Sequence, residues 1–513
     1  MDKQEALEEL KRRREIALAG GGPEKIARHR QRGHITARER IEALVDPGTF
    51  VETGMLGLYQ LPGSDQLYPA SKLHGYGKID GRVVAIQSDD STVLAGTGAG
   101  TRRPRDSGFA PPARGCPFIR FGESGGVHLQ SVQGSIGVLA VTMPIRGLMT
   151  PRRVPRLIGI MGNCFGDPTW QAVQSEFVVQ VKPNTCMAVS GPRVLGVALE
   201  ERTTPEELGG WKVHAEVTGQ VDAFAEDDVH CARLMREFIS YMPSNCEEEP
   251  PVLPTADPPD RSLDSLMTLV PDDPAQPYDM QEVIREIVDD GRYFVLKPYF
   301  ATGLIVCLAR LQGRVVGIIA SQPLSQQGAI GPDECDKATD MIVMCDSFNI
   351  PLLFLVDTPG LEGGPAAARD RLPTKLMHWL QALTLASVPK ITLVVRKAYG
   401  LAANCMGGPG SYPDFSAALL TADIRPMSPQ AATMTVHRER ISTARDSRVE
   451  RDRVMAELRA EGGPFEAAMA GLVDDVIDPR DCRRYVITCL DMLRGQRGDF
   501  ISARRLQTWP TGF

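Results

Sequence analysis

No two of the eleven cysteines form a C-x-x-C pair, and none of the eight histidines stands in H-E-x-x-H or another metal-ligand spacing. The first absence excludes a zinc ribbon and a thioredoxin-like motif. The second leaves no structural or catalytic metal to expect. Scattered singly, the cysteines read as small buried hydrophobes. An apolar run of 18 residues is also missing, so no membrane span is expected. The opening Met1-Asp2-Lys3-Gln4-Glu5 lacks the apolar core of a secretory signal. A cytoplasmic protein is expected. Basic residues are not in excess: 57 Lys and Arg face 64 Asp and Glu, for a net charge of -7. A general nucleic-acid binder, whose affinity rests on a basic face, is thereby disfavoured. Small molecules or other proteins are the expected partners.

What the chain does have is an internal repeat. Residues 154 to 167 read V-P-R-L-I-G-I-M-G-N-C-F-G-D, and 234 positions later residues 388 to 401 read V-P-K-I-T-L-V-V-R-K-A-Y-G-L. At the same offset, Pro117 leads through an apolar run to Glu123, Ser124 and Gly126, and Pro351 through another to Asp357, Thr358 and Gly360. A third pair, Gly81-Arg82-Val83-Val84 and Gly313-Arg314-Val315-Val316, is offset by 232. A single long repeat means two whole domains rather than a solenoid, and 513 residues exceed what one core usually holds.

Residues 1 to 46 alternate charged and apolar positions and predict helices interrupted at Gly20-Gly21-Gly22-Pro23. Residues 246 to 279 carry three consecutive glutamates and eight prolines, which favours an extended connection and a boundary near 255 to 275. The assigned domains are 1 to 260 and 261 to 513. In each half, short apolar runs such as Val83 to Ile86, Phe118 to Phe121 and Ile391 to Val395 precede glycine turns and helical stretches, predicting an α/β fold with buried, largely parallel strands. The charged stretch 437 to 461 reads as one solvated helix.

Chemistry enters at the glycine turns. Strands ending in Glu123-Ser124-Gly125-Gly126-Val127 and in Gly162 to Asp167 deliver unbonded amides at a helix start, and two such amides can hold an oxyanion. An ordinary strand-to-helix turn is the competing reading of any single pair; the duplication favours a functional one.

These residues resemble the carboxyltransferase (beta) subunits of biotin-dependent acyl-CoA carboxylases, the propionyl-CoA and methylcrotonoyl-CoA carboxylase family, over nearly the whole chain. The resemblance rests on G-G-G-x-x-x-I-A-R-H with Thr36 to Ile41, on Ser124-Gly125-Gly126 and Gly162 to Gly166, and on Glu206 to Gly210 with His214. In the second half it rests on Asp336-Lys337-Ala338, Cys345 to Pro351, Asp357 to Gly360, Val388 to Thr392, Arg396 to Gly400 and Gly471 to Ile477. It implies two tandem crotonase-like domains with short buried strands and surrounding helices, the first binding acyl-CoA and the second, from a neighbouring subunit, binding carboxybiotin. The implied activity is carboxyl transfer from carboxybiotin to the α or γ carbon of an acyl-CoA through an enolate. The implied alternatives are a biotin-independent acyl-CoA decarboxylase, another CoA-thioester enzyme or a non-catalytic assembly subunit.

By the same resemblance Gly166 and Asp167 form the acyl-side oxyanion turn and Leu401 and Ala402 the biotin-side pair, all four taken as catalytic. Ser124, Gly125, Gly126, Val127, Gly360, Gly400 and Asn404 are taken as substrate-binding. Arg102, Arg103 and Arg105 are candidates for pairing CoA phosphates, with a solvated basic loop as the equal alternative. His214 reads as structural. Biotin is expected on a separate carrier, because the chain has no A-M-K-M motif and no glycine-rich ATP-binding segment. A biotin carboxylase, a biotin carboxyl carrier and a homo-oligomer, by family a hexamer, are the implied partners. The chain departs from the family's Gly-Gly or Gly-Ala at both turns, with Gly166-Asp167 and Gly400-Leu401, and these side chains narrow or charge the pockets. A further departure is Arg369 to His378, where the family has a glycine-rich segment.

Overall fold

A computed structural model describes residues 2–60, 65–97, 115–127, 134–135, 151–182, 184–495 and 505–509. Its N-terminal charged stretch forms the helices Lys3–Leu18, Pro23–Gln31 and Ala37–Leu44. Asp2 and Thr36 cap the first and third, each in a reciprocal box with the glutamate three residues on. Gly22, at φ 90°, ends the interruption, and Pro23 opens the next helix where its missing N–H costs nothing. Ala37, Arg40, Ile41 and Leu44 are buried at helical spacing, so the third helix lays one face on the first core.

The chain packs as two compact units divided between Glu248 and Glu249. The first unit contains β1 (Val51–Thr53), β2 (Tyr59–Gln60), β3 (Leu67–Tyr68), β4 (Lys72–Ile79), β5 (Arg82–Asp89), β6 (Phe118–Ser124), β7 (Arg156–Phe165), β8 (Phe177–Val181), β9 (Cys186–Ala188) and β10 (Ala223–Ala225). Its main sheet runs β1-β4-β5-β6-β7-β8-β10, with β9 also on β7 and β2-β3 apart. The second unit contains β11 (Tyr293–Leu296), β12 (Leu304–Leu311), β13 (Arg314–Ser321), β14 (Leu352–Thr358), β15 (Lys390–Tyr399), β16 (Phe415–Leu419), β17 (Asp423–Arg425) and β18 (Asp475–Ile477). Its order is β11-β12-β13-β14-β15-β16-β18, with β17 on β15.

Pairing repeats as well as order. In both sheets the first two pairings are antiparallel and the rest parallel. Even the irregularities coincide: β6 shifts register between Gly122 and Ser124, and β14 between Val356 and Thr358. The central strands are buried on both faces, which explains why they read as near-continuous apolar runs.

A second repeated device follows β5 and β13. Leu94, Ala95 and Gly96 have φ of 47°, 54° and 68°, and Gln326, Gln327 and Gly328 have 48°, 57° and 79°. Three successive left-handed residues are costly outside glycine. The third must be glycine on contact grounds, because a Cβ on Gly96 would lie 2.1 Å from Glu123 O, and one on Gly328 2.5 Å from Asp357 O.

Two sequence expectations need correction. The stretch 437 to 461 is two helices, Arg438–Thr443 and Ser447–Ala460, because Asp446 accepts the amides of Arg448 and Val449 and starts a new one. The segment 246 to 279 is largely irregular, as its prolines require, but it is more than an extended connection between packed units. Leu263, Leu266, Val270 and Tyr278 belong to the second unit's core.

Candidate active site

Strand β7 ends at Phe165, and Gly166 (φ 77°, ψ -116°) turns the chain into the helix Asp167–Ala172. Only glycine adopts that conformation cheaply. The Gly166 carbonyl accepts from the Trp170 amide, while helix geometry leaves the first amides without an intrahelical acceptor. Pro168 has no N–H, so the Gly166 and Asp167 amides are the adjacent donors there. In the second unit β15 leads through Gly400 (φ 61°) into the helix Gly400–Cys405, with Leu401 exposed and Ala402 fully buried.

The structure brings the candidates of each half to neighbouring strand ends. Ser124 is in register with Cys164 on β7, and Thr358 with Ala398 on β15. Ser124 Oγ accepts from Gly126 N at 3.3 Å, as Thr358 Oγ1 does from Gly360 N at 3.3 Å. Gly125 N donates to Ala95 O at 2.8 Å, tying the left-handed turn to this loop. Val127 is exposed. These turns lie outside the carboxyl ends of parallel strands, where open α/β sheets place ligands. Asn404 Oδ1 accepts from Gly410 N, so that side chain holds the following loop. Arg102, Arg103 and Arg105 lie outside the described residues.

Sequence reasoning missed the charges beneath the first turn. Arg120 on β6, fully buried, lies 2.9 Å from Asp167 Oδ2 through Nη1 and 2.6 Å from Asp89 Oδ2 through Nη2. Lys72 Nζ stands 3.1 Å from the same Asp167 oxygen and 3.6 Å from Asp89 Oδ1. Burial pushes both carboxyls up, but Arg120 and then Lys72 prevail, holding each below the usual carboxylate range. These residues come from four segments, and their only sequence trace is an arginine inside the apolar run Phe118 to Phe121.

A second network braces Glu123. Arg40 pairs with it and with Asp228, which also accepts from His34 at 2.9 Å. In the second unit, Asp357, at the equivalent place, pairs with Arg396 at 2.9 Å and Lys397 at 3.2 Å. His214 is buried, its Nε2 2.8 Å from Met187 O and Nδ1 3.0 Å from Thr218 Oγ1, so both ring nitrogens are occupied. Among the described residues no group of three or more His, Cys, Asp or Glu is placed to hold a metal ion, and no helix is long and apolar enough to cross a membrane.

Residues 28–507 match the carboxyl transferase domain. The chain is 35% identical over 501 residues to the propionyl-CoA carboxylase beta chain of Roseobacter denitrificans, covering 96% of each. It is 33% identical over 498 residues to the methylmalonyl-CoA decarboxylase subunit alpha of Propionigenium modestum, again covering 96% of each. Its fold is similar to that of transcarboxylase 12S solved as a hexamer with methylmalonyl-CoA and methylmalonic acid bound, with a TM-score of 0.89, 32% identity and coverage of 97% of this chain and 96% of that one. With the family's domain spanning both units, relatives above 30% identity and an α/β fold shared nearly end to end, the chain belongs to the carboxyl transferase family and is a carboxyltransferase.

Proposed function

We propose that this carboxyltransferase acts on an acyl-CoA bound at the first-unit turn and takes its carboxyl group from biotin bound at the second-unit turn of a neighbouring copy. Both substrates present a carbonyl oxygen that must carry negative charge during the reaction. The Gly166 and Asp167 amides serve the thioester oxygen as the α-carbon becomes an enolate, with Ser124 to Val127 beside them. Leu401 and Ala402 serve the second oxygen, with Gly360 and Gly400 shaping the turn. Loss of one such donor costs about 3–4 kcal/mol of barrier.

The second turn fits a neutral ureido carbonyl, because Leu401 and Ala402 carry no charge and a Cβ on Gly360 would meet nothing within 4 Å. Biotin, when bound on its carrier, supplies the carboxyl group and a basic ureido nitrogen. The protein then needs no side-chain base, which agrees with a fully occupied His214. A partner biotin carboxylase and carrier provide the charged donor, and copies of this chain assemble as a closed oligomer of the hexameric kind.

The observation that supports this reading is the repetition of the glycine turn, Gly166 after β7 and Gly400 after β15, at the same place in two sheets of the same order. The test is carboxylation of short and branched acyl-CoA thioesters by the purified chain with its biotin carboxylase, carrier, bicarbonate and ATP. Mass in solution should show a large symmetric oligomer. Transfer that needs the carrier supports the assignment. Decarboxylation of a carboxylated acyl-CoA at an equal rate without biotin would favour the decarboxylase reading instead.

A further inference from the structure

The two sheets allow a position-by-position comparison of charge. Lys72 and Asp89 are in register on β4 and β5, as Leu304 and Ser321 are on β12 and β13. Arg120 and Asp167 correspond, 234 positions on, to Phe354 and Leu401. Four charged residues of the first unit therefore stand where the second has leucine, serine, phenylalanine and leucine. One half of the molecule builds the same strand order, with a glycine of positive φ at the same place, without them. Buried ion clusters are poor sources of stability compared with apolar packing, so the fold gives no reason for these charges.

The turn does give one. Asp167 carries its side chain and a proposed oxyanion donor on the same residue. A free carboxylate there would repel a developing enolate oxygen and, afterwards, the carboxyl group of the product. Both cations instead reach one carboxylate oxygen, Oδ2, from β6 and β4. The pull is toward the sheet, and Asp89 anchors both cations from β5. Asp167 keeps 28% of its side chain exposed, so it stands at the edge of the turn and not in the core.

We propose that Arg120, assisted by Lys72, is a positioning residue for carboxyl transfer: it neutralises Asp167 and holds its carboxylate back, so that the Asp167 amide faces the thioester oxygen. This rests on the reading of Gly166 and Asp167 as the acyl-side turn. The charges make the first unit's Gly-Asp turn equivalent, for an incoming oxyanion, to the uncharged turn of the second unit.

The test uses the full chain with its carrier system and a panel of acetyl-, propionyl- and 3-methylcrotonyl-CoA labelled with 13C at the thioester carbonyl. Arg120→Met should lower kcat by about 10²-fold with little change in KM, the pattern of a lost transition-state interaction. The infrared carbonyl stretch of the bound thioester, lowered by the wild-type turn, should move back toward its value in water. Adding Asp167→Asn, which keeps the amide and removes the charge, should restore at least part of both readouts. Lys72→Met, at a less buried position, should show the same pattern more weakly and serves if Arg120→Met does not fold. Folded variants that keep kcat and the carbonyl shift, or a loss that Asp167→Asn fails to restore, overturn the proposal. Failure of the wild-type chain to bind any of the panel would defeat the assignment of the turn itself, and this inference with it.

Discussion

Arg40 donates through Nη1 to Glu123 Oε2 at 2.7 Å, joining the N-terminal helix Ala37–Leu44 to the end of β6, one residue before Ser124. The arm that precedes the first core is therefore wired to the candidate acyl-side loop. Arg40 is wholly buried and also serves Asp228, so its removal takes the shared guanidinium from two carboxylates and leaves Asp228 with His34 and Ile35 N and Glu123 with Ser91 Oγ.

Arg40→Met should accordingly cost about 3–5 kcal/mol, the range for breaking a buried ion pair on one side. Urea denaturation of the purified variant measures it. A loss below about 1 kcal/mol, the range of a surface pair, would show that water reaches the network and that the arm is not held in this way.

Glycine at position 96 is required by both space and conformation. Gly96→Ala places a Cβ 2.1 Å from Glu123 O at φ 68°. Left-handed backbone alone costs about 1–3 kcal/mol, and the overlap adds to it. The Gly328→Ala variant should behave alike in the second unit, where the approach is to Asp357 O at 2.5 Å. Thermal unfolding of both variants checks this, and an unchanged melting temperature in either would remove the close approach as a constraint.

The central strands were legible at the level of residues, because buried parallel strands are apolar runs ending in glycine and the 232 and 234 offsets mark β5, β6 and β7 again as β13, β14 and β15. The candidate turns came with them. The cluster at Asp167 was not legible: Lys72, Asp89 and Arg120 are far from it in the chain, and pairing across β4, β5 and β6 is a tertiary fact. Its one trace, Arg120 where the repeat has Phe354, carries meaning only once the strands are aligned. The split of 437 to 461 depended on which of many polar residues caps, and only the observed Asp446 bonds decide that.

His214 provides a test of pH dependence. Burial lowers its pKa below the ordinary histidine value, outweighing the bond to Met187 O. As pH falls through about 6.5, the unfolded chain takes up this proton before the folded one does. Folding stability from neutral His214 is therefore full above that pH and lost below it. The destabilisation caused by His214→Gln should be larger at pH 7.5 than at pH 5.5, measured as the difference in melting temperature from wild type at each pH. An equal or larger difference at the lower pH would mean the ring is charged in the folded protein.

Prolines at the two turns separate their roles. Asp167 opens its helix and Leu401 is second in its own, positions where the fold does not use the amide. Leu401 is the better second site because it is exposed, whereas a ring at Ala402 would enter the core. Asp167→Pro also removes the carboxylate, so Asp167→Ala is its control. Relative to that control, Asp167→Pro should slow every acyl-CoA reaction by about 10²–10³-fold, the effect of one lost oxyanion donor. Leu401→Pro should reduce biotin-dependent transfer by a similar factor while leaving any biotin-independent decarboxylation partly intact. Circular dichroism must first show that both variants fold. A folded Leu401→Pro protein with full biotin-dependent transfer would show that the turn after β15 does not hold the second oxygen, leaving the first unit alone to carry the chemistry.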